Sequence, residues 1–189
     1  DLEVAYAFGG RSFSIYDDAG HLVFDSGNQL DEIANAAGIY DDGRSDDKGM
    51  EPEMVLTQAI NDSVYAFVAL ERADHSAIAM YDVTEPEHSR FIQLFTNSTD
   101  NANADSGAES WGPEGLVFIP TEASGAGVLM ATNEGDDSPL YEGQIDFYSV
   151  LETNRPGAPA SGNNDLEVAY AFGGRSFSIY DDHGNLVFD

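Results

Sequence analysis

Short runs of apolar residues, each bounded by Gly, Asp, Asn or Pro, recur along the chain of 189 residues. Most runs are rich in Val, Ile, Phe and Tyr, and some alternate between apolar and polar positions, as in SFSIYD and AIAMYD. Both features are typical of half-buried β-strands. The pattern predicts strands over 3–8, 12–16, 22–24, 54–60, 64–70, 77–83, 90–96, 116–119, 127–132 and 144–150. It predicts one helix over 29–37, with Gly38 as its C-terminal stop.

The predicted strands fall into groups. Four consecutive strands between 54 and 96 are joined by short turns, and the strands from 116 to 150 begin a second group. Each group opens on a similar stretch, MEPEMV in the first and WGPEGLV in the second. Repeated four-stranded antiparallel units favour an all-β fold, a β-propeller fragment of about three blades. A sandwich of short strands is the structural alternative.

The beginning of the chain returns at its end. Residues 1–25 and 165–189 are identical except that His183 replaces Ala19 and Asn185 replaces His21. A stretch rich in Pro, Gly, Ser and Asn precedes the second copy, so we expect a partial propeller unit over 1–153, a linker over 154–164 and a blade-completing repeat over 165–189.

A propeller closes with about four to eight blades, so about three blades need completion by strand exchange or by a neighbouring unit. Three origins of the duplication stay open: a piece of a tandem array, an engineered or permuted chain, and a natural chain that donates its terminal strands. All three predict self-association or contact with an adjacent repeat unit. The apolar residues expected to make the assembly contacts are Leu166, Val168, Tyr170, Phe172, Phe177 and Ile179.

The charge is strongly negative. There are 35 acidic against 7 basic residues, a formal charge of −28. This balance excludes a basic surface for nucleic acid, and it fits both an acidic halophilic or marine surface and the binding of hard cations such as calcium. The absence of cysteine excludes disulfides and thiolate chemistry, and no apolar run has transmembrane length. The chain begins without a signal peptide, so for a secreted protein we expect this to be mature or excised sequence.

Four stretches together resemble a known family: GGRSFSIYDDAGHLVFDSGNQL, DDGRSDDKGMEPE, YAFVALERADHSAIAMYDVTEPEHSRFIQ and GPEGLVFIP. In this order they are similar to the choice-of-anchor I family, over most of residues 5–151. The resemblance implies a bacterial secreted or cell-surface β-propeller, distantly related to phytase-like and alkaline-phosphatase-associated propellers. The chain resembles the C-terminal half of such a domain, and the terminal duplication departs from the family pattern.

The candidate metal ligands are carboxylates and one amide. The loop IYDDGRSDDKGMEPE is dense in acids, and its residues Asp46 and Asp47 are candidate calcium ligands, although a solvated, salt-bridged loop is the alternative. Glu53 and Glu114 each follow a proline at the start of a presumed innermost strand, and by resemblance to metal-dependent propellers they are the best metal candidates. The alternative is a structural turn in which the proline fixes the backbone and the glutamate bonds to neighbouring amides. Asn133 is expected to lie likewise at a strand end.

Two basic residues in the same loop, Arg44 and Lys48, could pair with its acids or hold a phosphate beside a metal. Arg11 and Arg175 recur in both copies and are expected to anchor strands or loops by pairing with a carboxylate, and phosphate binding is the alternative. None of the four histidines has zinc-protease spacing, and GGRSF is not a nucleophile elbow.

The leading functional hypothesis is a binding or structural module of a surface or secreted protein, stabilised by calcium and assembled through its duplicated terminal strands. The alternative is a calcium-dependent phosphoester hydrolase, in which Glu53, Glu114 and nearby aspartates would hold the metal and Arg44 or Lys48 would offset developing charge. The sequence leaves open whether the chain is an enzyme.

Overall fold

A computed structural model describes residues 10–46, 48–96, 111–120, 127–134, 144–150, 179–180 and 186–188. The described strands are β1 Ser14–Tyr16, β2 Leu22–Asp25, β3 Pro52–Ile60, β4 Ser63–Leu70, β5 Ala77–Asp82, β6 Arg90–Thr96, β7 Pro113–Pro120, β8 Gly127–Asn133, β9 Gln144–Val150, β10 Ile179–Tyr180 and β11 Leu186–Phe188. One α-helix, α1 Gln29–Ala37, and two 3-10 turns, Asp42–Arg44 and Pro86–His88, complete the described elements.

The first layer consists of the β1–β2 hairpin and α1. Asp17 shapes the hairpin turn, since its carboxylate accepts hydrogen bonds from the backbone N–H groups of Ala19 and His21. The predicted helix is confirmed at both ends. It ends at Gly38 because this residue adopts φ 75°, a left-handed conformation that glycine reaches without a steric penalty, and its N–H caps the last turn.

The central layer is the four-stranded sheet β3-β4-β5-β6, antiparallel throughout and in chain order. It buries both faces. One face, with Ala66, Val68 and Tyr81, packs under Phe13 of the first layer and Leu30 of α1. The predicted grouping of four consecutive strands is confirmed. Because short turns join neighbouring strands, a sheet in chain order is the simplest topology.

The third layer is the antiparallel sheet β7-β8-β9. It covers the other face of the central sheet, where Phe67 and Met80 pack with Leu116 and Leu129. The order of layers along the molecule therefore follows the order of the chain: hairpin with α1, central sheet, third sheet. The all-β prediction is confirmed, and the sheets are open within the described ranges.

The C-terminal copy contains a hairpin with the pairing of the first. Strands β10 and β11 pair Ile179 with Phe188 and Tyr180 with Leu186, which matches the register of β1 and β2 position for position. The predicted strand over 3–8, the linker and the predicted assembly residues Leu166, Val168, Tyr170, Phe172 and Phe177 lie outside the described residues.

Candidate cation site at the ends of β3 and β4

The central and third sheets begin in the same way. In each, the first strand opens on a Pro-Glu pair, and the register shift after the proline leaves the glutamate in a β-bulge, Glu53 in β3 and Glu114 in β7. Bulges turn a side chain out of the regular alternation of a strand and recur at functional sites. The two glutamates named from the sequence therefore occupy equivalent positions in adjacent sheets.

The residue before each proline has a left-handed backbone. In the third sheet this residue is Gly112, with φ 65°, whereas in the central sheet it is Glu51, with φ 46°. The equivalence extends to the backbone, because Glu71 N–H donates to the Glu51 carbonyl and Glu134 N–H donates to the Gly112 carbonyl. A glutamate in this conformation costs about 1 kcal/mol or more, and such strain is concentrated at functional sites.

Three carboxylates meet where β3 begins and β4 ends. One oxygen each from Glu51, Glu53 and Glu71 lies within 4.8 Å of the other two. Glu51 and Glu71 are buried, each 7 % exposed, while Glu53 is exposed. The two-residue turn between β3 and β4 fixes this meeting, since it sets the register that places the start of one strand beside the end of the other. We call these three residues the glutamate cluster.

Two basic side chains border the glutamate cluster. Lys48 Nζ lies 3.2 Å from Glu51 Oε2, and Arg72 contacts Glu71 through Nη2 while its Nε lies 3.8 Å from Glu51 Oε1. The cluster thus carries up to three negative charges against two positive ones. A divalent cation could be held by the carboxylate oxygens, but its binding would be weakened by the two bases.

Glu71 is the member with an altered acidity. Burial, followed by a hydrogen bond to Glu53, raises the pKa of Glu71 to about 7, and Arg72 opposes this rise. A raised pKa is expected where carboxyl groups share a site, because two negative charges at short range repel and a proton or a cation relieves them. In the absence of a metal, Glu71 therefore keeps its proton to a higher pH than an ordinary glutamate, while hydrogen-bonded to Glu53.

The structure separates the predicted metal ligands. Glu53 belongs to the glutamate cluster, whereas Glu114 is exposed in the equivalent bulge of the third sheet. There Gly112 occupies the position that Glu51 has in the central sheet, so a third carboxylate is missing from that position. Asp46 is exposed in the turn after the first 3-10 turn. Asp47 lies outside the described residues, and so does the side chain of Arg44.

Sequence reasoning missed Glu71 altogether and included Glu51 only within the acidic loop IYDDGRSDDKGMEPE. The signal that finds them is the tight turn at Asn61 and Asp62. Counting back from this turn along both strands places the beginning of β3 opposite the end of β4. The loop before β3 is held there as well, because Asp74 N–H donates to the Ile39 carbonyl at 2.9 Å.

Asn133 belongs to a different environment. It is buried, and its Nδ2 donates to Asp146 Oδ2 at 3.0 Å. Tyr148 donates to the same carboxylate at 3.3 Å. Asn133 thus supports a buried carboxylate between β8 and β9, and the candidate cation site is built by the central sheet.

A second polar feature is a shallow depression of about 520 Å³ between the first layer and the acidic loop. Arg11 lies in it and pairs with Asp31 at 2.7 Å, which confirms the expected role of this arginine as a loop anchor. Asp31, Glu32 and Asp42 also line the depression. An anionic substrate would meet three carboxylates and one arginine that is already paired, so this depression does not favour phosphate binding.

These observations define an all-β protein with repeated sheet openings and a carboxylate site at one of them. Its amino-terminal residues, 1–86, match the family model of the choice-of-anchor I domain, which confirms the resemblance over that range. Comparison with curated proteins and with solved structures gives no match. Within the described part of the chain, no helix is long and apolar enough to span a membrane.

Proposed function

We propose that this chain is a calcium-stabilised binding and structural module of a secreted or surface-anchored bacterial protein, assembled through its duplicated terminal segments. The observation that carries the calcium part is the convergence of three carboxylates within 4.8 Å at the glutamate cluster. The family name, which refers to anchoring, supports a surface location.

We further propose that the central and third sheets are consecutive blades of a propeller. In both sheets the described strands follow chain order, and their matching bulges and left-handed residues also support this arrangement. Strand β3 also lies against β7, as the first strands of neighbouring blades do around a channel. Completion of the ring would then fall to the terminal copies or to an adjacent unit.

Calcium is the cation that best fits the glutamate cluster. It binds carboxylate oxygens at about 2.3–2.6 Å, so two ligands of one ion stand up to about 5 Å apart, which accommodates the observed spacing. Lys48 and Arg72 reduce the gain from adding a cation. We therefore expect a dissociation constant of about 10⁻⁴–10⁻³ M, in the range of extracellular calcium modules.

The test is thermal and chemical unfolding with calcium, with magnesium and with EDTA. At about 10 mM calcium, mass action stabilises a site of this affinity by about 1–3 kcal/mol. Glu53→Gln should abolish the gain, whereas Glu114→Gln, at the equivalent bulge, should retain it. Magnesium controls for general screening of the −28 charge. An equal gain from both metals, or an equal loss in both variants, would contradict a specific site.

The alternative function, a calcium-dependent phosphoester hydrolase, is favoured by one observation. Lys48 and Arg72 stand beside the glutamate cluster, where a base could offset charge on a phosphoryl group. Both bases are already paired with glutamates, so they would have to change partners. Turnover of a phosphomonoester and phosphodiester panel that requires calcium and disappears in Glu53→Gln, but not in Glu114→Gln, would support it. Folded protein without turnover would leave the binding module.

A further inference from the structure

The central sheet shows what a complete layer looks like. Its front face is covered by the segment that precedes it in the chain, and its back face is covered by the segment that follows, β7-β8-β9. The third sheet repeats only half of this arrangement. Its front face, with Leu129 and Ala131, packs on the central sheet.

The back face of the third sheet is apolar at four of the positions that the central sheet uses for packing. The registers align four residues of the central sheet's back face with four residues of the third sheet. These pairs are Leu56 with Val117, Phe67 with Met130, Ile78 with Ile145 and Met80 with Phe147.

In the central sheet, the members of these pairs pack in the second core. In the third sheet, Val117 is 48 % exposed and its neighbour Ile119 is 39 % exposed, Met130 and Ile145 are half-buried, and Phe147 is buried. An apolar sheet face with exposed valine and isoleucine is a surface for a further layer.

The first copy of the duplicated segment carries a matching face. Its inner side, with Phe13, Ile15 and Phe24, packs on the central sheet. Its outer side presents Tyr16 and Leu22, paired across the hairpin and 60 % and 57 % exposed. The second copy has the same residues at Tyr180 and Leu186, paired in the same register.

We propose that the C-terminal copy, residues 165–189, docks on the back face of the third sheet of its own chain through the side that carries Tyr180 and Leu186. The occupant follows from the order of layers, because each segment covers the back of the one before it and this copy is the next segment after β9. The inference rests on the proposed assembly role of the terminal copies and names the surface that receives one.

The connection is long enough. Residues 151–164 number 14 and span up to about 46 Å when extended, whereas packed sheets lie about 10 Å apart. A segment tethered at this distance has an effective concentration in the millimolar range, well above that of a second molecule in dilute solution. Docking within one chain is therefore favoured over docking between chains.

The test uses a single introduced thiol in the otherwise cysteine-free full chain. Ile119→Cys places it on the receiving face, and its rate of reaction with a maleimide is measured over a hundredfold range of protein concentration. The same rate is measured after adding Tyr180→Ser with Leu186→Ser. The matched control adds Tyr16→Ser with Leu22→Ser, the same changes in the first copy. Val117→Cys provides a second reporter should Ile119→Cys fail to fold.

If the C-terminal copy is docked for at least nine-tenths of the time, Tyr180→Ser with Leu186→Ser should increase the labelling rate by about tenfold. Tyr16→Ser with Leu22→Ser, in the first copy, should leave the rate unchanged. The slow rate should not depend on protein concentration. Protection that disappears on dilution would overturn docking within the chain and assign the face to a second molecule. Fast labelling in the starting protein, or the same response to both variants, would overturn the proposal. Calcium binding is measured separately, by the unfolding experiments on the glutamate cluster. The docking proposal and the calcium proposal can therefore fail independently.

Discussion

Replacing Glu71 by glutamine should make the protein more stable in alkali and change it little in acid. Glu71 holds its proton more tightly in the folded chain, with a pKa of about 7 against an ordinary value of 4.5. Between these two values the folded state carries more protons than the unfolded state, so the free energy of unfolding falls as the pH rises through this window. Below pH 4.5 the group is protonated in both states and contributes no pH dependence.

The size of the effect follows from these two pKa values. The difference between 4.5 and about 7 corresponds to about 3 kcal/mol, lost in full only above pH 7. A glutamine side chain has the shape of the protonated acid and could still donate a hydrogen bond to Glu53. We therefore expect Glu71→Gln to match the parent within about 1 kcal/mol at pH 5 and to exceed its stability by up to about 3 kcal/mol at pH 8.5.

The assay is urea unfolding at several pH values between 5 and 8.5, without metal. Because the whole chain gains negative charge over this range, self-repulsion also lowers the parent's stability. Glu134→Gln, the equivalent position in the third sheet, removes one charge outside the cluster and corrects for this background. A stability difference between Glu71→Gln and the parent that is the same at pH 5 and pH 8.5 would refute the raised pKa of Glu71.

Two packing predictions concern the layers. Phe13→Ala should lower the free energy of unfolding by about 3–5 kcal/mol, measured in urea, because Phe13 is buried in the first core. Phe177→Ala, the equivalent change in the C-terminal copy, should lower it less, and equal losses in the two variants would contradict this expectation. Gly127→Ala would drive a methyl group into the Phe118 ring and should cost about 1–3 kcal/mol, while Gly10→Ala, whose nearest atom is 3.6 Å away, should be neutral within about 0.5 kcal/mol; a neutral Gly127→Ala would show that Phe118 moves aside.

Periodicity predicted the local elements well because each follows from neighbouring residues. The helix matches at both ends, since a left-handed glycine stops it. Strands β3 and β7 begin two and three residues earlier than predicted, at Pro52 and Pro113. Proline lacks the N–H that a ladder needs, but it is tolerated as a first strand residue.

The glutamate cluster could be predicted only in part, because its members are far apart in sequence. Glu53 was found from its Pro-Glu motif, and Glu114 was grouped with it because the same motif recurs. The repeated motif identifies equivalent backbone positions in two different sheets. A metal site instead needs several side chains that meet within one sheet. That meeting depends on strand register, which joins Glu53 to Glu71.

The comparison of Glu51 with Gly112 explains why the two sheet openings differ in chemistry. Both positions require a left-handed backbone, and glycine supplies it at the lower cost. The central sheet instead carries a buried glutamate there, together with Lys48 and Arg72 as its partners. Fold stability alone favours glycine at this position, so the strained carboxylate requires a separate reason. The cation proposed for the glutamate cluster would supply one, and the third sheet, with glycine in that place, has the same strand opening without a third carboxylate.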